Sequence, residues 1–209
     1  MSANLERLLQ HHPELRRGPG MAAAPEKGIP TGFPVLDRQL PGGGWPGRAI
    51  TELLVGGGGA HALGLLLPAL ARLSREGRWI VLVAPPWLPY APALQAAGVD
   101  LARLLLVEPA AEPDRLWALE QALRSGGCSA VLAWPRRLRP SALRRLQLAA
   151  EAGAAGGFLF RPFAAAAEHS PAALRLRLAP AGDGWEIDLL KRRGGWPLSG
   201  IRLPLRPAE

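Results

Sequence analysis

The stretch ITELLVGGGGAHALGLLL (residues 50–67) joins an apolar run to four glycines and then to an apolar segment with helical spacing. A strand, glycines and a helix begin a phosphate-binding loop, because the backbone N–H groups of such a turn can surround an anion. The loop also needs a Lys that neutralises the phosphates and a Ser or Thr hydroxyl that binds Mg²⁺. His61 and Ala62 stand at those two positions. The stretch therefore predicts the first strand and helix of an α/β protein that lacks the groups for nucleotide hydrolysis.

Further apolar runs alternate with helical segments on the C-terminal side of this stretch. Strands are predicted at 79–84, 129–134 and 157–160, and helices at 63–77, at 114–127 and from Ser141, which we expect to cap its helix. This alternation predicts a mostly parallel β-sheet flanked by helices. After residue 172 the apolar period changes to two, around a Gly-Asp-Gly turn at 182–184. That change predicts a C-terminal antiparallel hairpin added to the sheet.

Length and composition predict one main domain. A chain of 209 residues with 48% hydrophobic content can bury a core of ordinary size. We expect residues 1–27 to form a docking helix and linker, in which Leu5, Leu8 and Leu9 make an apolar stripe, and residues 28–206 to form the domain. No apolar run approaches about 20 residues, which favours a cytoplasmic protein without a membrane contact. One cysteine and four scattered histidines predict no metal site, and no cofactor is expected.

Positive charge is concentrated in the C-terminal third of the chain. From Arg136 onward there are 13 basic and 6 acidic residues, against 12 and 11 before it. A polyanion or an acidic protein surface is the partner that such a charge favours. The candidate contacts form three groups: Arg136, Arg137 and Arg139; Arg161; and Lys191, Arg192 and Arg193. If they converge, we expect binding of single-stranded DNA without sequence preference; a solvated face is the alternative.

Three tryptophans lie in Pro/Gly-rich segments, where burial in a helix or strand does not follow from the pattern. They are Trp45, Trp87 and Trp196. Tryptophan is frequent among the residues that dominate protein–protein binding energy, so these three are candidate partner anchors. Packing inside the domain is the alternative for each of them.

Four longer segments resemble the core of the RecA recombinase family and, within it, the ImuA family of accessory proteins from damage-induced mutagenesis cassettes. They are GIPTGFPVLDRQLPGGGWPGRAITELL (28–54), REGRWIVLVAPPWLPYAPALQAAGVDLARLLLVEP (75–109), LWALEQALRSGGCSAVLAW (116–134) and KRRGGWPL (191–198). The resemblance implies a RecA-like core. It also places Pro86 where the family has its water-activating glutamate and Trp134 where it has the aspartate that holds the metal. Together with His61 and Ala62, these changes imply a degenerate nucleotide site and a protein that is not an enzyme. Residual nucleotide binding by Gly56, Gly57, Gly58 and Gly59 stays open.

Three functions follow from these resemblances. The ImuA resemblance implies a non-catalytic accessory protein of translesion DNA synthesis, with an ImuB-like inactive Y-family polymerase, an error-prone DnaE-type polymerase and RecA as partners. The segments from 63–79 to 157–162 also resemble the cell-division inhibitor SulA, which implies binding to the tubulin-like protein FtsZ. An active RecA-like ATPase is the third alternative. The N-terminal helix, the PTG…GGGWPGR segment and the KRRGG tail favour the first function.

Overall fold

The structure, a computed structural model, describes residues 26–56, 59 and 61–205. Its strands are β1 (Ile50–Val55), β2 (Trp79–Val83), β3 (Leu104–Val107), β4 (Cys128–Ala133), β5 (Gly156–Pro162), β6 (Leu174–Ala181), β7 (Gly184–Arg192) and β8 (Leu198–Pro204). Its α-helices are α1 (Pro34–Asp37), α2 (Leu63–Leu73), α3 (Ala91–Ala96), α4 (Glu112–Arg124) and α5 (Pro140–Gly153). Within the described residues, 3-10 turns span Pro41–Gly43, Leu101–Arg103 and Phe163–Ala167.

All eight strands form one sheet in the order β3-β2-β4-β5-β1-β6-β7-β8. The first six are parallel to one another, whereas β7 and β8 are antiparallel to their neighbours. The prediction of a mixed α/β sheet with a C-terminal antiparallel hairpin is therefore confirmed. Because the six parallel strands run the same way, their carboxyl ends lie along one edge of the sheet and their amino ends along the opposite edge. The likeness to a RecA core stays a prediction.

Each face of the sheet packs a separate apolar core. On the first face, the side chains of α2 and of residues 33–45 share a core with side chains of β1, β2, β4, β5, β6, β7 and β8. On the second face, α4 and α5 cover β2, β4 and β5. The apolar side chains of α2 recur every four residues, which brings Leu65, Ala69 and Leu73 onto one side of that helix. Parallel strands covered on both faces explain why the runs at 50–55 and 128–133 are fully buried.

The strands β6 to β8 and the segment 28–48 share one apolar core next to β1. Trp45 is 0% exposed and meets Phe158 edge to face at 5.9 Å. Phe33 and Leu36 belong to the same core as Trp185 and Ile201. The two segments are therefore joined by a shared core, although they lie far apart in the sequence.

Several local predictions are corrected. Ser141 does not cap α5; Arg139 is the N-cap residue and makes no side-chain capping bond, because Pro140 already begins the helix. Strand β8 was missed, since Gly200 interrupts its apolar alternation. Residues 1–27 fall almost wholly outside the described residues, so the docking prediction for Leu5, Leu8 and Leu9 is not tested. Within the described residues, no helix is both long and apolar enough to cross a membrane.

Candidate docking surface at the carboxyl edge

The chain leaves β2 through a sharp turn that exposes three large side chains. Ala84 has a positive φ of 45°, which is unusual for a residue with a side chain, and its N–H donates to the Val107 carbonyl at 2.8 Å. The following segment, PPWLPY, carries Trp87, Leu88 and Tyr90 at 47%, 79% and 71% exposure. The chain is held again at α3, where the Leu94 N–H donates to the Tyr90 carbonyl at 3.2 Å. The exposed segment is therefore fixed at both ends.

The neighbouring strand β4 is followed by Trp134 and two arginines. Trp134 stacks on Phe160 with ring centroids 4.8 Å apart and planes 7° from parallel. Arg136 and Arg137 follow and are both exposed. Neither has a carboxylate within ion-pairing distance in the described part of the chain, in contrast to Arg124 and Arg145, which both bind Glu120. We call the surface formed by residues 84–90 and 134–137 the carboxyl edge.

A cavity of about 1540 Å³ opens between the ends of β1, β2, β4 and β5. Its walls include Gly56, Pro86, Glu108, Trp134, Arg136 and Arg137. Two further carboxylates reach it, but Glu112 pairs with Arg115 at 3.4 Å and Glu168 pairs with Arg161 at 2.7 Å. Among the described residues of the cavity wall, the charged groups without an ion-pair partner are therefore Glu108, Arg136 and Arg137.

Gly56, the first glycine of the predicted phosphate loop, lines this cavity. His61 is exposed, whereas Ala62 is 1% exposed at the start of α2, which has no side-chain cap. The ring of Phe163 covers Gly56 so closely that a Cβ there would lie 3.1 Å from it. Gly59 has a positive φ of 77°, and Gly57 and Gly58 lie outside the described residues. Among the described residues, no cluster of His, Cys, Asp or Glu is arranged to hold a metal ion.

Arg161, predicted as a nucleic-acid contact, is instead part of a buried ion cluster. It is 0% exposed and donates to Glu52 on β1 and to Glu168, both at 2.7 Å. Arg175 on β6 places its Nε 2.7 Å from the other Glu52 oxygen, in an ion pair without the alignment of a good hydrogen bond. Burial opposes the charge of Arg161, but Glu52 and Glu168 outweigh it and raise its pKa. Since Arg161 is enclosed by protein, it is not available to a nucleic acid.

The third basic group lies at the opposite edge of the sheet. Arg192 pairs in register with Leu174, the first residue of β6, so the group stands at the amino ends of the parallel strands. All three side chains have partners within the protein. Lys191 donates to the Ser170 carbonyl at 2.7 Å, Arg192 to the carbonyls of Gln39 and Trp196, and Arg193 to the Glu151 carboxylate at 3.1 Å.

Partial burial and the nearby charge of Arg175 lower the pKa of Lys191. We call residues 191–193 the amino-edge group. The basic groups do not converge on one side of the sheet, so the condition set for binding of single-stranded DNA is not met. The assignment of Arg136, Arg137 and Arg139 to a partner stays a prediction.

The comparison with known proteins identifies the family to which the chain belongs. A family model described as "Cell division inhibitor SulA" matches residues 49–157. The chain belongs to the SulA family. It is similar to cell division inhibitor SulA of Edwardsiella piscicida, with 38% identity over 101 residues, or 48% of this chain and 60% of that protein. It is also 32% identical to SulA of Pectobacterium carotovorum strain PC1 over 117 residues, or 56% of this chain and 70% of that protein.

The crystal structure of SulA from Pseudomonas aeruginosa is similar as well. It is 33% identical, covers 54% of this chain and 97% of its own, and has a TM-score of 0.47. The chain spans less than two thirds of the Edwardsiella protein. The match to the SulA family lies between β1 and the first residues of β5 and includes the whole carboxyl edge.

The prediction of an ImuA-type accessory protein of translesion synthesis is wrong. The matching family model and the similar proteins are SulA. The prediction of the polymerase partners, which the ImuA resemblance implied, is therefore wrong as well. The features that favoured ImuA, which are the N-terminal segment, the PTG…GGGWPGR segment (30–48) and the KRRGG tail, lie outside residues 49–157. The structure also gives the tail a different use, because Lys191, Arg192 and Arg193 are held within the domain.

Sequence reasoning found part of the carboxyl edge. It placed Arg136 and Arg137 after a core strand and offered Trp87 as an anchor. It missed Leu88 and Tyr90, although four prolines at 85, 86, 89 and 92 signal a segment that cannot fold into the sheet. Of the three candidate tryptophans, Trp45 is buried, whereas Trp87 and Trp196 are exposed.

Proposed function

We propose that this chain inhibits cell division by binding the tubulin-like protein FtsZ. The observation that carries the proposal is the match of the SulA family model to residues 49–157. That segment contains four whole strands of the sheet and an exposed surface of aromatic, aliphatic and arginine side chains. Such side chains are typical of binding surfaces.

The proposed inhibition needs no chemical step by this chain. Supporting this view, His61 and Ala62 offer neither a fixed positive charge nor a hydroxyl at the start of α2. Trp134, at the position that the recombinase resemblance gives to a metal-holding aspartate, is stacked on Phe160. The extent of inhibition then depends on how much FtsZ the chain has bound, as is typical of an inhibitor that acts by binding alone.

Assembly of purified FtsZ with GTP and Mg²⁺ tests the function. We expect the sedimented polymer to fall steadily as the chain is titrated in, because each bound FtsZ is withdrawn from assembly. An unrelated protein of similar positive charge controls for non-specific effects of the net charge of +8. Unchanged polymer at a molar excess of the chain would show that the proposed function is wrong.

Nucleotide turnover by the chain alone tests the absence of catalysis. With ATP or GTP and Mg²⁺ but without FtsZ, we expect phosphate release equal to that of the buffer. Release that disappears in a His61→Ala variant would instead assign a catalytic role to the glycine loop.

A further inference from the structure

We propose that the carboxyl edge is the surface that meets the partner, and that it docks on an acidic protein surface with an apolar pocket at its centre. The inference rests on the proposed function, so FtsZ is the partner used to test it. It identifies the residues of this chain that make the contact and the chemical character that the partner surface must have.

The apolar part of this surface is concentrated in three residues. Trp87, Leu88 and Tyr90 expose 47%, 79% and 71% of their area on one segment. Large apolar side chains exposed side by side are uncommon on a surface that faces only water, and they mark interaction sites. Tryptophan and tyrosine are also the apolar residues that contribute most often to binding energy.

The same segment is stiff before any partner arrives. Pro85, Pro86 and Pro89 each fix their own φ near about −65°. The hydrogen bonds of Ala84 and Leu94 hold the two ends of the segment. A fixed loop loses little conformational entropy on binding, and more of the contact energy is left for affinity.

The positive charge of residues 134–137 determines which kind of partner the surface binds. Arg136 and Arg137 are exposed and have no carboxylate partner in the described part of the chain, so their charge is free to act on another molecule. Glu108 is the one carboxylate of the cavity wall without an ion pair among the described residues, since Glu112 and Glu168 are neutralised by arginines. Two guanidinium groups against one carboxylate favour an acidic partner, and Arg suits bidentate binding of carboxylates.

A protein fits this surface better than a nucleic acid does. A single strand is bound by a row of cations that follows its backbone, together with stacking side chains. Here the described cations of the edge are few, Glu108 would repel phosphates, and Leu88, the most exposed of the three apolar side chains, has no face for stacking. The apolar centre with a charged border is instead the arrangement of a protein interface.

The position of the surface in the family match supports the same conclusion. Residues 84–90 and 134–137 both lie inside 49–157, the segment that the SulA model matches. Trp196, which is 86% exposed, and the amino-edge group lie outside it. A contact that serves the function of the family is expected within the matched segment.

Affinity for FtsZ held in its unassembled GDP form tests the inference by calorimetric titration of the full chain. Arg136→Glu/Arg137→Glu reverses the free charge, and Trp87→Ala removes the largest apolar anchor. Each variant is expected to bind at least about thirty-fold more weakly, the effect of losing a dominant interface residue. Affinity of the unaltered chain should also fall with added salt, because exposed charges are screened.

Two matched controls separate the surface from general effects. Arg144→Glu/Arg202→Glu makes the same change of net charge at two other exposed arginines that have no ion pair in the described part of the chain. Trp196→Ala removes an exposed indole outside the matched segment. Both controls should bind within about twofold of the unaltered chain, as distant surface changes do, and thermal melts should show that all variants are folded.

The outcomes separate this inference from the function on which it rests. If the unaltered chain binds FtsZ and the carboxyl-edge variants bind equally well, the inference is wrong and the proposed function stands. If the unaltered chain does not bind FtsZ, both are wrong. A third titration uses a fluorescent single-stranded oligonucleotide; binding that depends on Arg136 and Arg137 there, without FtsZ binding, would assign the edge to nucleic acid and overturn the inference.

Discussion

The two edges of the sheet carry similar runs of basic residues and use them in opposite ways. At the carboxyl edge, Arg136 and Arg137 have no carboxylate partner in the described part of the chain. At the amino edge, Lys191 and Arg193 each bind a group of the same domain, a carbonyl in one case and a carboxylate in the other. A cluster of cations in a sequence therefore predicts a charged surface only when the fold offers those cations no internal partner.

Arg161 is a basic residue whose charge is bound entirely within its own domain. It joins β5 to β1 through Glu52 and, with Arg175, ties β6 to the same carboxylate. A buried carboxylate without its cations would be costly, so this cluster fixes which strands can lie beside β1. The free arginines at the carboxyl edge contribute little to the fold by comparison, and this contrast can be measured.

The largest expected effect is a loss of stability when a cation is removed from the buried ion cluster. Arg161→Ala leaves Glu52 buried with one cation fewer, and we expect a loss of about 3–5 kcal/mol in the free energy of unfolding. Arg137→Ala, the matched control at the carboxyl edge, should stay within about 0.5 kcal/mol of the unaltered chain. Urea titration followed by circular dichroism measures both. Equal, small effects would show that Arg161 is not structurally different from the exposed arginines.

A smaller effect is expected inside the carboxyl edge itself. Trp134→Leu keeps an apolar side chain over the cavity but removes the stack on Phe160, and we expect a loss of about 1 kcal/mol. Trp87→Leu, at the exposed end of the same surface, should leave stability nearly unchanged. The same urea titration distinguishes the two tryptophans, and an equal response would contradict the division between a packed and an exposed aromatic residue.

The amino edge should respond weakly although its groups are paired. Arg193 and Glu151 are 3.1 Å apart, with 63% and 41% of their side chains exposed. Exposed pairs contribute roughly 0–1 kcal/mol, so Arg193→Ala should destabilise by no more than that and should leave FtsZ binding unchanged. A marked loss of binding in this folded variant would move the partner surface to the amino edge.

The smallest effect is a dependence on pH at Glu151. A hydrogen bond from Gln147 lowers the pKa of Glu151, partial burial opposes this, and Arg193 lowers the pKa further. A lowered carboxyl pKa contributes stability above the unfolded pKa of about 4.3, and the contribution disappears as the pH falls through the lower folded value. The stability difference between the unaltered chain and Glu151→Gln should therefore be present at neutral pH and vanish in acid. A difference that grows in acid would contradict the direction of the shift.

Most of the fold could be predicted from the sequence because its strands are buried on both faces. The run at 79–83 is apolar throughout, the run at 50–55 is interrupted only by Thr51 and Glu52, and the helix between them is amphipathic, so the pattern identifies a parallel sheet. Strand β8 is the last strand of the sheet and contains Gly200, which interrupts the alternation of apolar and polar side chains that would identify a strand. The start of α5 was misassigned because Ser141 is a good capping residue by type, whereas Pro140 fixes the backbone one residue earlier.

The candidate site was less predictable because it consists of side chains that the fold leaves exposed. Trp45 and Trp87 both stand among prolines and glycines, yet one is 0% exposed under β5 and the other is 47% exposed beyond β2. No local pattern distinguishes them, since the difference lies in whether segment 28–48 reaches the sheet. The same holds for Arg161, near the end of β5, and Arg136, just after β4, which differ in whether Glu52 is within reach.

Hydrogen–deuterium exchange of the full chain with and without FtsZ tests the use of the two edges most directly. Bound partner should slow exchange in peptides that cover 84–92 and 134–139, because those amides lie at the proposed contact. Peptides that cover 191–198 should exchange at the same rate in both states. Protection at 191–198 with no change at the carboxyl edge would contradict the assignment of the partner to the free arginines and the exposed aromatic segment.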